Sequence, residues 1–248
     1  MTVVIFHAFP EFMTGGFIGV DVFFVISGYL ISGIIIKQTK KEKFSYIDFY
    51  CRRVKRIYPA LLLILAFVLY FVPKYYGPSE LEFTLKTLNA STIFGANFQV
   101  LVHEKGYFDS DIHTNPLLHL WSLGVEEQFY IFWPCLISIC LGKFKKYALF
   151  GLSFYTAVSF VFGIVCVFIN TKFAFYFPVC RFWQMAVGGL VSYLDVKIQN
   201  KKINEALSIT GTLLILVTVW ILNDQSLFPG FWALIPTVAA ACIIQAGA

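Results

Sequence analysis

The stretch GGFIGVDVFFVISGYLIS, residues 15–32, opens an apolar run that continues to residue 36. Crossing the hydrocarbon core takes about 20 apolar residues in a helix, and residues 17–36 meet that length with one acid, Asp21, among them. At about 100° per residue, Gly28 and Ser32 fall within about 20° of Asp21, on either side of it, around a helix. The result is a narrow stripe of small and polar side chains suited to close packing against a second helix. A packing seam accounts for the glycines. It leaves an ionisable group on that seam, and such groups persist in a bilayer where they face a partner or a cavity.

The rest of the chain has the same character. Its 248 residues are 58% hydrophobic and 13% charged, with a mean hydropathy of +0.75. That composition provides too little polar surface for a water-soluble domain, and it predicts an all-α, polytopic transmembrane helix bundle with the lipid bilayer as its surroundings. The formal charge is +5, but the basic residues gather at the ends of apolar runs, which points to membrane orientation and to no nucleic-acid partner. Cys51, Cys135, Cys140, Cys166, Cys180 and Cys242 form no CxxC pair and no metal-ligand spacing. They read as reduced packing residues, and no metal site is expected.

Runs of spanning type cover residues 17–36, 57–72, 117–141, 147–169, 177–194, 206–222 and 231–244; an apolar stub before Pro10 brings the count to about eight. The stub has no basic leader and no cleavage site, and it is too short for a whole crossing, so the chain is expected to begin partway along its first helix. Residues 81–102 are interrupted by Glu82, Lys86, Asn89 and Asn97. The loop from Lys37 to Arg56 holds eight basic residues and is placed on the cytoplasmic side. The basic segments at 142–146 and 195–205 join it there only if residues 81–102 do not cross. They are therefore expected to form a re-entrant or interfacial element on the outer side. With no repeat or linker in view, residues 1–248 are read as one membrane domain.

Four groups of polar residues stand out, since a charged side chain at mid-bilayer costs about 2.5–3.5 kcal/mol on insertion scales. In HLWSLGVEEQFYIFWP, residues 119–134, His119, Ser122, Glu126 and Phe129 recur at helical spacing with Glu127 adjoining, so that face is expected to look inward as a catalytic or substrate-holding wall. A buried structural network is the alternative. His7 is the second feature, a side chain suited to proton transfer near neutral pH, although an isolated histidine is more often structural. Asp21 on its seam is the third. The fourth comprises two arginine sites. Arg52, Arg53, Lys55 and Arg56 precede YPALLL, where forked guanidinium groups suit phosphates and where positive-inside anchoring is the plainer explanation. Arg181 opens RFWQMAVGGL with Gln184 and Gly188 on the same face, and is read equally as snorkelling to the interface or as lining a site.

Taken in order, GGFIGVDVFFVISGYLI, FSYIDFYCRRVKRIYPALL, NFQVLVHEKGYFD, PLLHLWSLGVEEQFYIFWP and FPVCRFWQMAVGGL resemble the acyltransferase family 3 membrane proteins, with the family's spacing, over most of residues 7–194. That family includes bacterial O-acetyltransferases of lipopolysaccharide O-antigen and other surface glycans. The resemblance implies a multi-pass protein of the bacterial inner membrane, ten core helices, a cytoplasmic acyl-CoA donor (usually acetyl-CoA), no permanently bound cofactor, and a glycan or lipid-linked glycan acceptor. His7 matches the family's essential histidine. Its usual basic partner would precede Met1, and the family's last two core helices would follow residue 248, so the chain is expected to be short at both ends. Gln184 departs from the glutamate that many members carry and cannot take a proton.

The reading that results is O-acyl transfer, with His7 as base or acyl carrier and Glu126, Glu127 and His119 as its catalytic companions. Arg53 and Arg56 are expected to hold the donor. Asp21, Ser27, Trp121, Ser122, Tyr130, Arg181 and Gln184 are expected to line the site, with Trp121 and Tyr130 either stacking on sugar rings or anchoring at the interface. A non-catalytic transporter of a glycan or anion, and an inactive remnant of the acyltransferase, are the rival readings.

Overall fold

The computed structural model describes residues 14–102, 114–223 and 226–247. Among these every regular element is helical. Ten α-helices follow one another: α1 (Gly19–Lys40), α2 (Tyr46–Tyr75), α3 (Pro78–Ser91), α4 (Ala96–Val102), α5 (Leu120–Leu141), α6 (Ala148–Ile169), α7 (Thr171–Tyr176), α8 (Phe182–Leu194), α9 (Lys201–Ile221) and α10 (Leu234–Gly247).

The centre of the bundle is the contact of α1 with α8. A Cβ on Gly28 would stand 1.9 Å from the Met185 carbonyl oxygen, and one on Gly188 would stand 2.0 Å from that of Val25. Only hydrogen fits at either position, so the two backbones touch along the stripe that the sequence marks out. The helices run parallel, since Asp21 meets Arg181 near their starts and Gly33 lies against Ser192 near their ends. The third member of the parallel core is α5, where Phe24 packs on Trp121 and the Trp133 indole N–H donates to Ser32 Oγ at 2.7 Å. Around this trio, α6 packs against α8, and α10 fills the space between α9 and α1.

Residues 81–102 form a hairpin. Pro78 occupies the first turn of α3, where a missing N–H costs nothing, and Glu80 accepts a hydrogen bond from the Gly77 N–H at 2.9 Å. After α3 the chain turns through Phe94, which has φ +57°, and α4 leads back. The turn is held between two helices: Tyr58 of α2 donates to the Thr92 carbonyl at 3.0 Å, and the Gln128 amide of α5 donates to the Phe94 carbonyl at 2.8 Å. The hairpin's two flanks meet where the Tyr76 hydroxyl donates to the Thr114 carbonyl at 2.6 Å. Residues 76 and 114, on either side of this segment, thus lie together.

The protein is a multi-pass membrane protein, and among the described residues four helices are long and apolar enough to cross a bilayer, covering Gly16–Lys40, Tyr46–Lys74, Lys145–Ile169 and Lys201–Ile221. The count of about eight is not reproduced by this measure. In α5 the length suffices at 22 residues, but Glu126, Glu127 and Gln128 lower its hydropathy. The run at 177–194 begins with a 3-10 turn, Pro178–Cys180, which leaves α8 with 13 residues, and α10 has 14. Each of these two spans roughly 20 Å, short of a 30 Å core. The stub before Pro10 lies outside the described residues. All six cysteines are free; Cys140, Cys166 and Cys180 are buried, Cys242 is half-buried, and Cys51 and Cys135 are exposed.

Gly28→Ala and Gly188→Ala are expected to lower thermal stability in detergent. Overpacking of about 1–3 kcal/mol outweighs a helix-propensity gain of at most about 1 kcal/mol. Gly247→Ala, facing open space, should leave the melting temperature unchanged.

Candidate functional site

The seam delivers its one acid to a buried cation. Asp21 and Arg181 are both fully buried, and Arg181 Nη1 donates to Asp21 Oδ1 at 2.9 Å. Gln184, one turn further along α8, donates its amide to the same oxygen. The guanidinium also donates from Nε to the Phe175 carbonyl at 3.2 Å, and its carbon lies 4.8 Å from the Phe175 ring, 5.3 Å from that of Phe228 and 5.7 Å from that of Trp121. Rings on several sides spread the charge over their π faces and keep water out. Arg181 does not snorkel. Asp21 Oδ2 and Gln184 Oε1 are buried and take no hydrogen bond among the described residues.

Six residues further along α1, roughly 9 Å, Ser27 donates from Oγ to Glu126 Oε1 at 2.6 Å, and the Tyr130 hydroxyl donates to the same oxygen. Glu126 and Glu127 are both buried. Two hydroxyls thus donate hydrogen bonds to one buried carboxylate oxygen, the partnering that a polar group inside a bundle requires. Glu127 has one oxygen without a hydrogen bond among the described residues and lies within the electrostatic reach of Arg53 and Arg56.

The arginines arrive there through a proline. Pro134 has no N–H to give to the Tyr130 carbonyl four residues earlier, so α5 carries an unsatisfied acceptor in its middle. The Tyr50 hydroxyl of α2 fills the gap, 3.2 Å from the Tyr130 carbonyl oxygen and 3.1 Å from that of Ile131. One turn on from Tyr50, Arg53 lies over the Tyr130 ring with its guanidinium carbon 4.5 Å from the centroid. Ile31, Ile34, Phe49, Arg52, Arg53 and Arg56 line a cavity of about 220 Å³ beside it. The arginine cavity, the Ser27–Glu126–Tyr130 cluster and the Asp21–Arg181–Gln184 cluster thus form a polar column along α1 and α5.

Not every residue of the predicted wall joins it. His119 is the residue that caps α5, not one within it, and it is exposed; the Ser122 hydroxyl turns back to the His119 carbonyl at 3.1 Å. His119 keeps right-handed helical dihedrals but is exposed, whereas Glu126 and Phe129 are buried. Trp121 and Tyr130 are buried with ring faces taken by Arg181 and Arg53, so neither is placed at an interface or open to a sugar. His7 lies outside the described residues. No cluster of metal-ligating residues occurs among the described residues.

A family model described as an acyltransferase domain matches residues 1–248. The chain belongs to acyltransferase family 3. It is 33% identical to an uncharacterized protein of Haemophilus influenzae over 239 residues, 91% of this chain and 96% of that one. It is 36% identical over 144 residues to the O-acetyltransferase OatA of Staphylococcus aureus, and 37% identical over 148 to the peptidoglycan O-acetyltransferase OatA of Listeria monocytogenes. Those matches take in 58% and 59% of this chain and 24% of each OatA, so the chain spans about a quarter of the length of these relatives. No solved structure matches the chain significantly. Membership of acyltransferase family 3 makes the protein an acyltransferase of groups other than amino-acyl groups.

Four residues outside the predicted set hold these clusters in place: Tyr50, which seats α2, Phe175 and Phe228, which flank Arg181, and Gln128, which bonds to the turn after α3. Gln128 alone had a sequence signal, an amide amid apolar residues next to the two glutamates. Arg181→Met and Asp21→Asn, each leaving one buried polar group without its partner, are expected to destabilise the protein by about 3–5 kcal/mol apiece. The double variant should cost clearly less than their sum in a thermal-melt double-mutant cycle.

Proposed function

We propose that the protein is a membrane O-acyltransferase that moves an acyl group, acetyl in the simplest case, from cytoplasmic acyl-CoA to a hydroxyl of a cell-envelope glycan in the bacterial inner membrane. The acceptor is peptidoglycan or a lipopolysaccharide glycan, a class to which the names of the OatA relatives lend support. The observation that carries the reading is the polar column. Donor and acceptor sit on opposite sides of roughly 30 Å of hydrocarbon, and an acyl group needs a protein-lined way between them.

Arg53 and Arg56 hold the donor's phosphates at the arginine cavity. His7 takes the proton of the acceptor hydroxyl while its oxygen attacks the acyl carbonyl; the carbon–sulfur bond breaks and the thiolate leaves as CoA. If His7 first carries the acyl group, its ring nitrogen bonds the acyl carbon as the carbon–sulfur bond breaks and CoA leaves as thiolate; the acceptor oxygen then bonds that carbon as the carbon–nitrogen bond breaks, and the hydroxyl proton passes to the freed imidazole. Glu126 and Glu127 orient the imidazole. Asp21, Ser27, Tyr130, Arg181 and Gln184 shape the passage, Trp121 screens Arg181, and His119 with Ser122 meets the acceptor at the exposed rim of α5.

The test uses membranes that contain the complete protein, radiolabelled acetyl-CoA and isolated peptidoglycan or lipopolysaccharide as acceptor. His7→Ala should abolish glycan labelling at unchanged protein level, and Arg53→Ala should raise the KM for acetyl-CoA at least ~10-fold through loss of a charge-assisted contact. Retained labelling in His7→Ala removes that residue from the chemistry, and no labelling by the unaltered protein on either glycan sinks the reading.

A further inference from the structure

The two lysines in the last turn of α1 take no part in the polar column. Lys37 and Lys40 line a second cavity, of about 500 Å³, between the ends of α1 and α8, with Gln245 of α10 at its side. Ile31 and Ile34 border the arginine cavity whereas Tyr29 and Gly33 border this one, so the two lie against opposite faces of α1. From Tyr29 to Lys40 the groove follows eleven residues of helix, roughly 16 Å.

Its chemistry changes along that length. The Tyr29 end is ring and backbone, bordered by apolar side chains. At the other end Lys37, Lys40 and Asp195 all face the groove, and all three are exposed to ligands. Asp195 closes α8 in the left-handed conformation, φ 44°, and makes no salt bridge among the described residues. An apolar channel ending in charges fits an amphiphile, and basic pockets between membrane helices take phosphate head groups. Two ammonium groups suit one phosphate. The carboxylate beside them opposes a second negative charge and favours a cation.

We propose that this groove binds a membrane phospholipid whose head carries one phosphodiester and a primary amine: the phosphate on Lys37 and Lys40, the amine at Asp195, and an acyl chain running towards Tyr29. The same logic separates this ligand from the acyl donor. CoA carries several phosphate charges, which the all-arginine cavity suits and Asp195 repels.

The test is native mass spectrometry of the detergent-solubilised protein with dioleoylphosphatidylethanolamine, dioleoylphosphatidylglycerol or CoA as probe. The expected result is one ethanolamine lipid retained per chain in preference to the glycerol lipid and not displaced by CoA. Lys37→Gln with Lys40→Gln should lower that retention about fivefold or more, the effect of losing head-group charge contacts, and Asp195→Asn should erase the preference between the two lipids. Equal melting temperatures for all variants confirm that they fold, as exposed positions should. Unchanged retention in the lysine variant, equal retention of both lipids by the unaltered protein, or displacement by CoA would overturn the proposal. None of these readouts depends on acyl transfer, so failure of the proposed activity and failure of this site are distinguishable.

Discussion

A single buried ion pair, Asp21 with Arg181, fixes how the bundle is put together. Either charge alone in hydrocarbon costs about 2.5–3.5 kcal/mol or more, and each is fully buried. They become tolerable only together. A short aspartate reaches across because Gly28 and Gly188 let the α1 and α8 backbones touch. The seam and the pair enforce each other: a slip of one residue turns a helix by about 100°, which would carry Asp21 away from Arg181 and drive a side chain into the glycine contact. Register is thereby set by electrostatics as well as by shape. From α1 the order passes to α5 through Ser27 on Glu126 and Trp133 on Ser32.

Much of this was legible, though in pieces. The spacing that put Asp21, Gly28 and Ser32 on one stripe and Arg181, Gln184 and Gly188 on another is the spacing observed, because α1 is regular helix and Arg181, the cap of α8, keeps the helical spacing of the residues after it. What periodicity could not tell is that the two stripes are each other's partner, since nothing local links residues 160 positions apart. Periodicity does not say where a helix leaves the packed core, and His119, at the cap of α5, is exposed. Nor does hydropathy reproduce the span count. Hydropathy counts apolar residues without regard to backbone, and residues 178–180 spend theirs on a 3-10 turn.

Tyr50, Phe175 and Phe228 were invisible for a different reason. Tyrosine and phenylalanine are common in this chain, 13 and 28 of them, so no one of them stands out until a partner is known. The charge-counting argument for a re-entrant segment asks only on which side the basic loops lie; the structure gives that segment as two helices joined at a turn that Tyr58 and Gln128 hold.

The proline in α5 also constrains how sequences of this kind drift. Position 134 and position 50 are bound to each other through a backbone acceptor, although their own side chains form no hydrogen bond with one another. A residue with an N–H at 134 would restore the internal helix bond and leave the tyrosine hydroxyl competing for an oxygen already taken. A residue without a donor at 50 would leave the proline's gap open. Descendants of one ancestor should therefore keep both or lose both, and a pairwise covariation signal between 50 and 134 would be the evolutionary footprint of one missing hydrogen.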